Sequence, residues 1–390
     1  MEIYRVAETF HITGRGIVYT LRLGGHDVIN LGDLLYDLQG HRFQVKGMEM
    51  IRQTAAWEER NTLLLGVMLD GLDSAEVYGR ILLSEPAKLH FLFCSHPLYP
   101  QRVDEDYAEE YQAAGHKYVR ALFSYEDMQD GKLSLYGDKI AGLTVYRGWM
   151  MKPELYRAFY EMLAEQGIVL INSPEEYEHY HLLPNWYKEF ENDTARSWWT
   201  TSNSIKEAIG LAKGLEGPYI VKDFVKSRKH EWYDACFIAN AADQHDTEKI
   251  ISNFIIRQGD DLIGGVVLRQ FVPLKPIGFH ELSGMPIAEE YRVFVFAGKI
   301  LVIDDYWTNA HQVHLTEEEY QWIAEIASGL KSNFVAMDLA RKADGSLMIM
   351  EFGDGQVSGL QQIDAEGFYQ AFAGAIIRDG QKMRRNGGSE

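Results

Sequence analysis

The chain has 390 residues, of which 46% are hydrophobic and 24% charged, and this composition excludes intrinsic disorder, collagen-like repeats and coiled coils. Its length predicts two or three domains, at roughly 100–200 residues for each. The 57 acidic and 38 basic residues give a net charge of −19, which repels long polyanions. We therefore expect neither DNA nor an anionic membrane surface as a partner.

The two cysteines, Cys94 and Cys236, form no C-x-x-C pair, which argues against a disulfide framework and a thiolate zinc site. The longest apolar runs fall far short of the roughly 20 residues that a membrane span needs. The first residues lack the apolar core of a secretion signal. These features predict a cytoplasmic protein.

Residues 1–84 form a pattern of short strands separated by glycines, which predicts a small β-barrel. Their run FHITGRGIVYT, residues 10–20, resembles the second, β-barrel domain of translational GTPases of the elongation factor Tu type. The sequence has no G-x-x-x-x-G-K-[ST] phosphate loop, so the GTPase itself is not expected. The barrel is then either a structural or docking module, or a holder of an RNA end or aminoacyl group. The second alternative would rely on its basic residues Arg15, Arg22, Arg42 and Lys46.

Residues 85–195 alternate strand and helix patterns. An apolar strand is predicted at 89–94, a helix from Pro153 to about Gln166, a strand at 168–171, and a further helix that Ser173 caps. This alternation is typical of a small parallel α/β unit.

Residues 196–380 consist mainly of predicted strands, at 219–223, 262–271, 291–296, 299–304, 334–341 and 346–352. Helices are predicted from Ser204 to about Gly214 and at 317–328. Residues 381–390 are a polar tail that we expect to be frayed.

Two carboxylates lie in the apolar stretch NFVAMDLARKADGSLMIMEFGDG, residues 333–355, around the turn dipeptide Asp344-Gly345. A two-residue loop there places Asp338 directly opposite Glu351, with their Cβ atoms about 4.5–5.5 Å apart on one face. Leu347 and Ile349 are expected on that face, and Met348 and Met350 on the other. The pair either binds Mg²⁺ that carries nucleotide phosphates, or is neutralised by a buried Arg or Lys.

Basic residues precede this hairpin. Lys222 ends an apolar strand, and Lys226, Arg228, Lys229 and His230 follow in an expected mobile loop, which either covers phosphate or is simply solvated. Arg292 alternates with apolar residues in a strand, so it needs an anion, which is Glu289, Glu290 or a ligand.

These parts in this order, over about residues 185–365, resemble the ATP-grasp superfamily. The whole of 85–380 is similar to its clade named for one Arg and two Lys, including the runs YRGWMMKPELY and LINSPEEY. The resemblance implies a multidomain protein: an N-terminal small β-barrel (1–84), an α/β pre-ATP-grasp unit (85–195) and an α+β ATP-grasp domain (196–380).

The resemblance also implies roles for single residues. Lys222 would contact the α and β phosphates, backbone groups near Gln270, Phe271 and Val272 would hold adenine, and Arg292 would stabilise phosphate or an acyl phosphate. Asp338 and Glu351 would ligate Mg²⁺. The family ending Glu-x-Asn is absent because Gly353 stands in the third position, so Asp354 is the best substitute for the third ligand. Lys226 is the preferred second lysine, with Lys229 nearly as well placed.

The implied activity is that of an ATP- and Mg²⁺-dependent ligase that joins a carboxylate to an amine through an acyl phosphate. Its acceptor would be an amino acid or a peptide, which the sequence does not distinguish. One alternative is a nucleotide-binding adaptor with decayed catalysis that associates with translation through its barrel, as Gly353 suggests. Another is a ligase for an aminoacyl-RNA or peptide that the barrel holds.

Overall fold

The computed structural model of this chain describes residues 1–24, 27–51, 63–71, 77, 79–279, 286–307 and 314–376. The predicted polar tail at 381–390 lies outside these residues. Within the described ranges, no helix is long and apolar enough to cross a membrane.

The predicted N-terminal barrel is confirmed. Its strands close in the order β1-β2-β5-β4-β3-β6. They are β1 (Ile3–Ile12), β2 (Gly16–Leu23), β3 (Leu34–Tyr36), β4 (Arg42–Met50), β5 (Leu63–Gly71) and β6 (Ile81–Leu83). The run that suggested the barrel forms the β1–β2 turn, where Gly14 and Gly16 have φ angles of 78° and 106° that favour glycine.

The barrel shares a hydrophobic core with the rest of the chain. Leu38, Ile81 and Leu83 belong to the same buried cluster as Phe294 and Phe296. Polar contacts also join the barrel to the second unit. The guanidinium of Arg5 donates to the Glu176 carboxylate at 2.9 Å and to the Ile171 carbonyl at 3.3 Å. The barrel is therefore packed into the molecule through apolar surface and a partly buried ion pair.

The second unit contains the predicted parallel α/β arrangement. Its sheet has the order β10-β9-β7-β11-β12, and β8 pairs with β7. Strands β9, β7, β11 and β12 are mutually parallel. The elements are β7 (His90–His96), β8 (Tyr99–Val103), α1 (Ala108–Gly115), β9 (Val119–Phe123), α2 (Tyr125–Gln129), β10 (Leu135–Gly137), β11 (Gly142–Arg147), α3 (Pro153–Glu165), β12 (Ile168–Leu170), α4 (Pro174–His181) and α5 (Leu183–Tyr187).

Two antiparallel four-stranded sheets follow, in the orders β13-β16-β14-β15 and β20-β19-β21-β22, with a small β17-β18 sheet between them. The first group comprises β13 (Ser197–Trp199), α6 (Ile205–Leu211), β14 (Tyr219–Lys222), α7 (Trp232–Ala235), β15 (Phe237–Ile238), α8 (Gln244–Gln258), β16 (Val267–Gln270), β17 (Pro276–Phe279) and β18 (Pro286–Ala288). The second comprises β19 (Glu290–Phe296), β20 (Lys299–Asp305), α9 (Glu317–Gly329), β21 (Phe334–Arg341), β22 (Leu347–Asp354) and α10 (Ala365–Ile376).

Two features differ from the sequence prediction in this region. Strand β16 is shorter than the predicted 262–271, because Gly264 has a φ of 74°, outside the extended region, and residues 259–261 form a 3₁₀ helix. Helix α8 was not predicted, although its sequence carried the signal. Asp243 caps it, and its buried residues Thr247, Ile250, Ile251, Phe254 and Ile255 have the spacing of an amphipathic helix.

Candidate active site

The β21–β22 hairpin pairs Asp338 with Glu351, as the sequence predicted. The predicted two-residue turn is wrong. The Lys342 amide donates to the Ser346 carbonyl at 2.8 Å, and Gly345 has a φ of 93°, so the loop has three residues. Asp338 pairs with Glu351, but the next residue, Leu339, pairs with Ile349, so the opposite strand has a bulge between these two pairs. The bulge restores the predicted register at Asp338.

The bulge also corrects which side chains share the face of the carboxylates. Leu347 and Ile349 pack into the core cluster on the other side of the sheet. Met348 and Met350 line a cavity together with the two carboxylates. The predicted faces of these four residues are wrong because a one-residue change in register turns every following side chain to the opposite face.

The cavity beside the hairpin, which we call the first cavity, has a volume of about 320 Å³, within the range of small-ligand sites. It brings together most of the residues predicted to bind nucleotide. Its walls include Lys222, Lys229, Gln270, Phe271, Val272, Glu290, Tyr306, Asp338 and Glu351.

The end of β16 forms one apolar wall of the first cavity. The amides of Gln270 and Phe271 donate to the carbonyls of Arg196 and Pro218 at 2.8 and 3.0 Å. The Phe271 ring packs edge-on against Phe237, with their centroids 5.2 Å apart. The amides of Gln270 and Phe271 are therefore engaged within the protein.

Two lysines face the carboxylates. Nζ of Lys222 lies 3.3 Å from Oε2 of Glu351, and burial lowers the pKa of Lys222. For Lys229, burial opposes the charged form, but Glu290 and Glu351 raise its pKa above the ordinary value. Burial would likewise raise the pKa of Glu351, yet Lys222 and Lys229 hold it at about 2. The ionised Glu351 carboxylate therefore favours the charged form of both lysines, against the effect of burial.

Lys226, the preferred second lysine in the sequence analysis, does not line the first cavity. It is exposed, and its amide donates to Oδ1 of Asp223 at 2.6 Å in a tight turn after β14. The expected mobile loop continues as a 3₁₀ helix, Lys229–Glu231, which Arg228 supports through its contacts with Glu231. The structure thus brings Lys229 to the cavity in place of Lys226.

Replacing Lys229 by methionine should weaken binding of a Mg²⁺–nucleotide complex by about 10–100-fold, because one charge-assisted contact to phosphate is lost. The matched variant Lys226→Met should bind within about twofold of the unchanged protein. Calorimetric titration with AMP-PNP and Mg²⁺ measures both. Equal losses in the two variants would contradict the assignment of Lys229.

Arg292 has its anion within the protein. Its Nε and Nη2 donate to the two carboxylate oxygens of Asp338 at 2.7 and 2.6 Å, and Nη1 donates to the Gly359 carbonyl at 2.6 Å. Burial opposes its charge, but Asp338 raises the pKa of Arg292 above the ordinary value. The anion that pairs with Arg292 is therefore Asp338. It is neither Glu290 nor Glu289, which pairs with Arg341 at 2.6 Å.

The carboxylate pair is thus neutralised by an arginine and a lysine, one of the two alternatives that the sequence left open. The same arrangement fits Mg²⁺, which commonly takes one or two carboxylates and completes its shell with phosphate and water oxygens. No cluster of three or more metal-ligating side chains occurs among the described residues. A metal here would therefore depend on ligand oxygens.

Asp354, the suggested third ligand, lies away from the pair. It is 1% exposed, and its Oδ2 and Oδ1 accept hydrogen bonds from Nδ2 of Asn172 at 2.5 Å and from the Gln356 amide at 2.9 Å. It pairs with Val335, so its side chain is on the opposite face from Glu351. The structure does not bring Asp354 together with Asp338 and Glu351.

Asp354 predicts a pH dependence of stability. Burial raises its pKa from 3.8 to about 7, so between pH 4 and 7 the unfolded chain ionises this group while the folded chain holds the proton. Stability from this group is therefore greatest at low pH and falls as the pH rises, by about 1.4 kcal/mol for each pH unit in that range. In urea unfolding, the free energy of unfolding of the unchanged protein should exceed that of Asp354→Asn by more at pH 5 than at pH 8. A difference that does not change with pH would contradict this.

Glu290 is a third carboxyl in the first cavity, whereas its position in the sequence suggested only that it pairs with Arg292. It is buried and shares a face of β19 with Arg292, two residues away. Burial raises its pKa to about 7, although Lys229 opposes this. The alternation along Glu290–Phe296 is the signal that could have placed it beside Asp338.

A second cavity of about 170 Å³ shares Asp338, Glu351 and Tyr306 with the first. Its other walls include His181, Arg292, Ser358, Gly359 and Gln361. The carboxylate pair therefore stands where two cavities meet, so a group in one can approach a group in the other.

Comparison with known proteins agrees with this geometry. Residues 209–372 match the family model of the ATP-grasp domain, family 3 of the clade named for one Arg and two Lys. These residues form an ATP-grasp domain. The match confirms the resemblance stated from the sequence and supports the expectation of a ligase that forms a C–N bond. A search of curated proteins found no significant match.

Several solved structures are similar to the chain at low identity. A RimK-domain ATP-grasp protein from Sphaerobacter thermophilus has 15% identity and a TM-score of 0.48, over 73% of this chain and 99% of that one. D-alanyl-alanine synthetase A from Vibrio cholerae has 14% identity and a TM-score of 0.45, over 75% and 99%. Macrocyclase MdnC from Microcystis aeruginosa, bound with its precursor peptide, has 11% identity and a TM-score of 0.45, over 74% of this chain and 100% of that one.

The comparisons do not support an RNA end or aminoacyl group at the barrel. The structure shows carboxylate partners for three of the basic residues considered for that role. Arg15 pairs with Glu49 at 2.5 Å, Lys46 with Asp70 at 2.8 Å and Arg22 with Glu175 at 3.8 Å.

Proposed function

We propose that the chain is an ATP- and Mg²⁺-dependent ligase that activates a carboxylate as an acyl phosphate and joins it to an amine of an amino acid or peptide. The observation that carries this proposal is one cavity, within the ATP-grasp domain, whose walls contain Lys222, Lys229 and the Asp338–Glu351 pair. The work required is mainly positioning and neutralising phosphoryl oxygens, which these side chains are suited to do.

The nucleotide has a natural orientation in the first cavity. Its base would lie against the wall formed by Gln270, Phe271 and Val272, where the lining is apolar and aromatic. Its phosphates would then extend toward Lys229 and toward Lys222, which would exchange its contact with Glu351 for a contact with phosphate. Point charges on flexible side chains allow such an exchange without a change of backbone.

Asp338 and Glu351 would hold Mg²⁺ against the phosphates, and the ion would neutralise oxygen charge during transfer of the terminal phosphoryl group. Arg292 would keep the Asp338 carboxylate in place through its two hydrogen bonds and extend its remaining N–H groups toward an acyl phosphate. A carboxylate and then an amine would approach from the second cavity. The amine displaces phosphate from the acyl carbon as a C–N bond forms and the C–O bond to phosphate breaks.

The adaptor with decayed catalysis is a second candidate, and one observation favours it. A Cβ atom at Gly353 would lie 2.9 Å from Oγ of Ser358, so the position of the family asparagine has no room for a side chain unless Ser358 shifts. An adaptor would bind nucleotide without releasing ADP.

The experiment incubates the full chain with ATP and Mg²⁺, alone and with a pool of the twenty amino acids or a random peptide library. ADP release and new conjugate masses are measured, together with calorimetric binding of AMP-PNP. Release of ADP with a conjugate supports the ligase, and binding without release supports the adaptor. Absence of nucleotide binding would overturn both.

A further inference from the structure

His181 is a buried polar side chain in the second cavity that the roles above do not use. It is the last residue of α4, is 3% exposed, and lines the cavity together with Asp338 and Glu351. Its Nε2 is buried and has no hydrogen-bond partner among the residues that the structure describes. A buried unsatisfied nitrogen is unfavourable, so its presence beside a reaction site calls for a functional explanation.

The ring of His181 is held in a defined position. It stacks on Tyr177, with the ring centroids 4.8 Å apart and the planes inclined by 28°. Tyr177 is itself fixed, because its hydroxyl donates to the Met151 carbonyl at 2.8 Å and accepts from the Met151 amide at 3.0 Å. The imidazole is therefore oriented by packing, and its Nε2 has no partner among the residues that the structure describes.

The charges around His181 keep the imidazole neutral. Burial, then Lys226 and Lys222, lower its pKa to about 4, while Glu351 opposes them. A neutral imidazole carries one N–H and one lone pair. With the proton on Nδ1, Nε2 offers the lone pair to a donor in the cavity.

We propose that Nε2 of His181 accepts the proton of the amine that attacks the acyl phosphate, which makes His181 a further catalytic residue. This inference rests on the function proposed above. As the amine nitrogen bonds to the acyl carbon, the C–O bond to phosphate breaks and inorganic phosphate leaves. The proton lost from the nitrogen moves to Nε2 and later to phosphate or water, so atoms and charges balance.

The first test compares His181→Phe with His179→Phe, a matched change on the same helix at a histidine that pairs with Glu189 outside the second cavity. Phenylalanine keeps the stacking on Tyr177 and removes both ring nitrogens. With the amino-acid and peptide pools as probes, His181→Phe should lower kcat for conjugate formation by about 10²–10⁴-fold. Its affinity for AMP-PNP with Mg²⁺ and its thermal stability should stay unchanged, and His179→Phe should keep both its kcat and its affinity for AMP-PNP.

The second test uses chemical rescue, which a structural role would not show. Added imidazole should restore conjugate formation in His181→Ala and should leave His179→Ala unaffected. Unchanged kcat in His181→Phe, or loss that imidazole does not restore, would overturn the role of His181 while the ligase stands. Absence of ADP release by the unchanged protein with every probe would instead overturn the proposed function.

Discussion

Replacing Asp338 by asparagine should reduce conjugate formation by at least about 10²–10³-fold and weaken binding of ATP in the presence of Mg²⁺. The substitution removes the charge that would hold the metal, and it leaves an amide nitrogen facing the Arg292 guanidinium, which is 8% exposed and donates both Nε and Nη2 to this carboxylate. One change thus removes a ligand and disturbs the neighbouring cation. Calorimetric titration with AMP-PNP, with and without Mg²⁺, measures the metal-dependent part.

Asp354→Asn provides the control, because it makes the same chemical change three residues after Glu351 on the other face of the hairpin. This variant should bind AMP-PNP and Mg²⁺ like the unchanged protein while losing stability, since its new amide would face Nδ2 of Asn172. Asn172 cannot turn over freely, because its Oδ1 accepts from the amides of Asn333 and Phe334. Equal loss of metal-dependent binding in both variants would refute the two-carboxylate site.

Removal of residues 1–84 should prevent the remainder from folding. The deletion removes Leu38, Ile81 and Leu83 from the buried cluster that they share with Phe294 and Phe296, and it exposes the apolar surface that these three residues cover. Exposure of a large apolar side chain costs about 1.5–3 kcal/mol, and a few such losses approach the total stability of a typical domain. Soluble yield and cooperative thermal unfolding of residues 85–390 measure the effect.

Two smaller changes make this prediction specific. Arg5→Ala in the full chain should lower stability by several kcal/mol, because it leaves the Glu176 carboxylate, whose side chain is only 12% exposed, without its charged partner. Arg15→Ala removes an ion pair in which the arginine side chain is 55% exposed, so it should change stability little. A truncated chain that is soluble, unfolds cooperatively and binds AMP-PNP would show instead that the barrel is a separable module.

The sequence was informative where a local pattern corresponds directly to structure. The alternating strands of the barrel, the capping box at Ser173 and the apolar hairpin with Asp338 and Glu351 all appear in the structure. Each depends on a period or a cap that neighbouring residues define by themselves. The length of the hairpin turn was harder to predict, because two- and three-residue loops share the same Asp-Gly signal.

The sequence by itself determined the multidomain organisation, the Asp338–Glu351 pairing and the set of cations from which the site is built. Tertiary structure decided which of these residues meet. It placed Lys229 at the first cavity, turned Asp354 to the other face, and supplied Glu290 and His181 as neighbours. The physical reason is that a side chain's direction depends on bulges, turns and packing between distant segments, while its type and spacing are fixed along the chain.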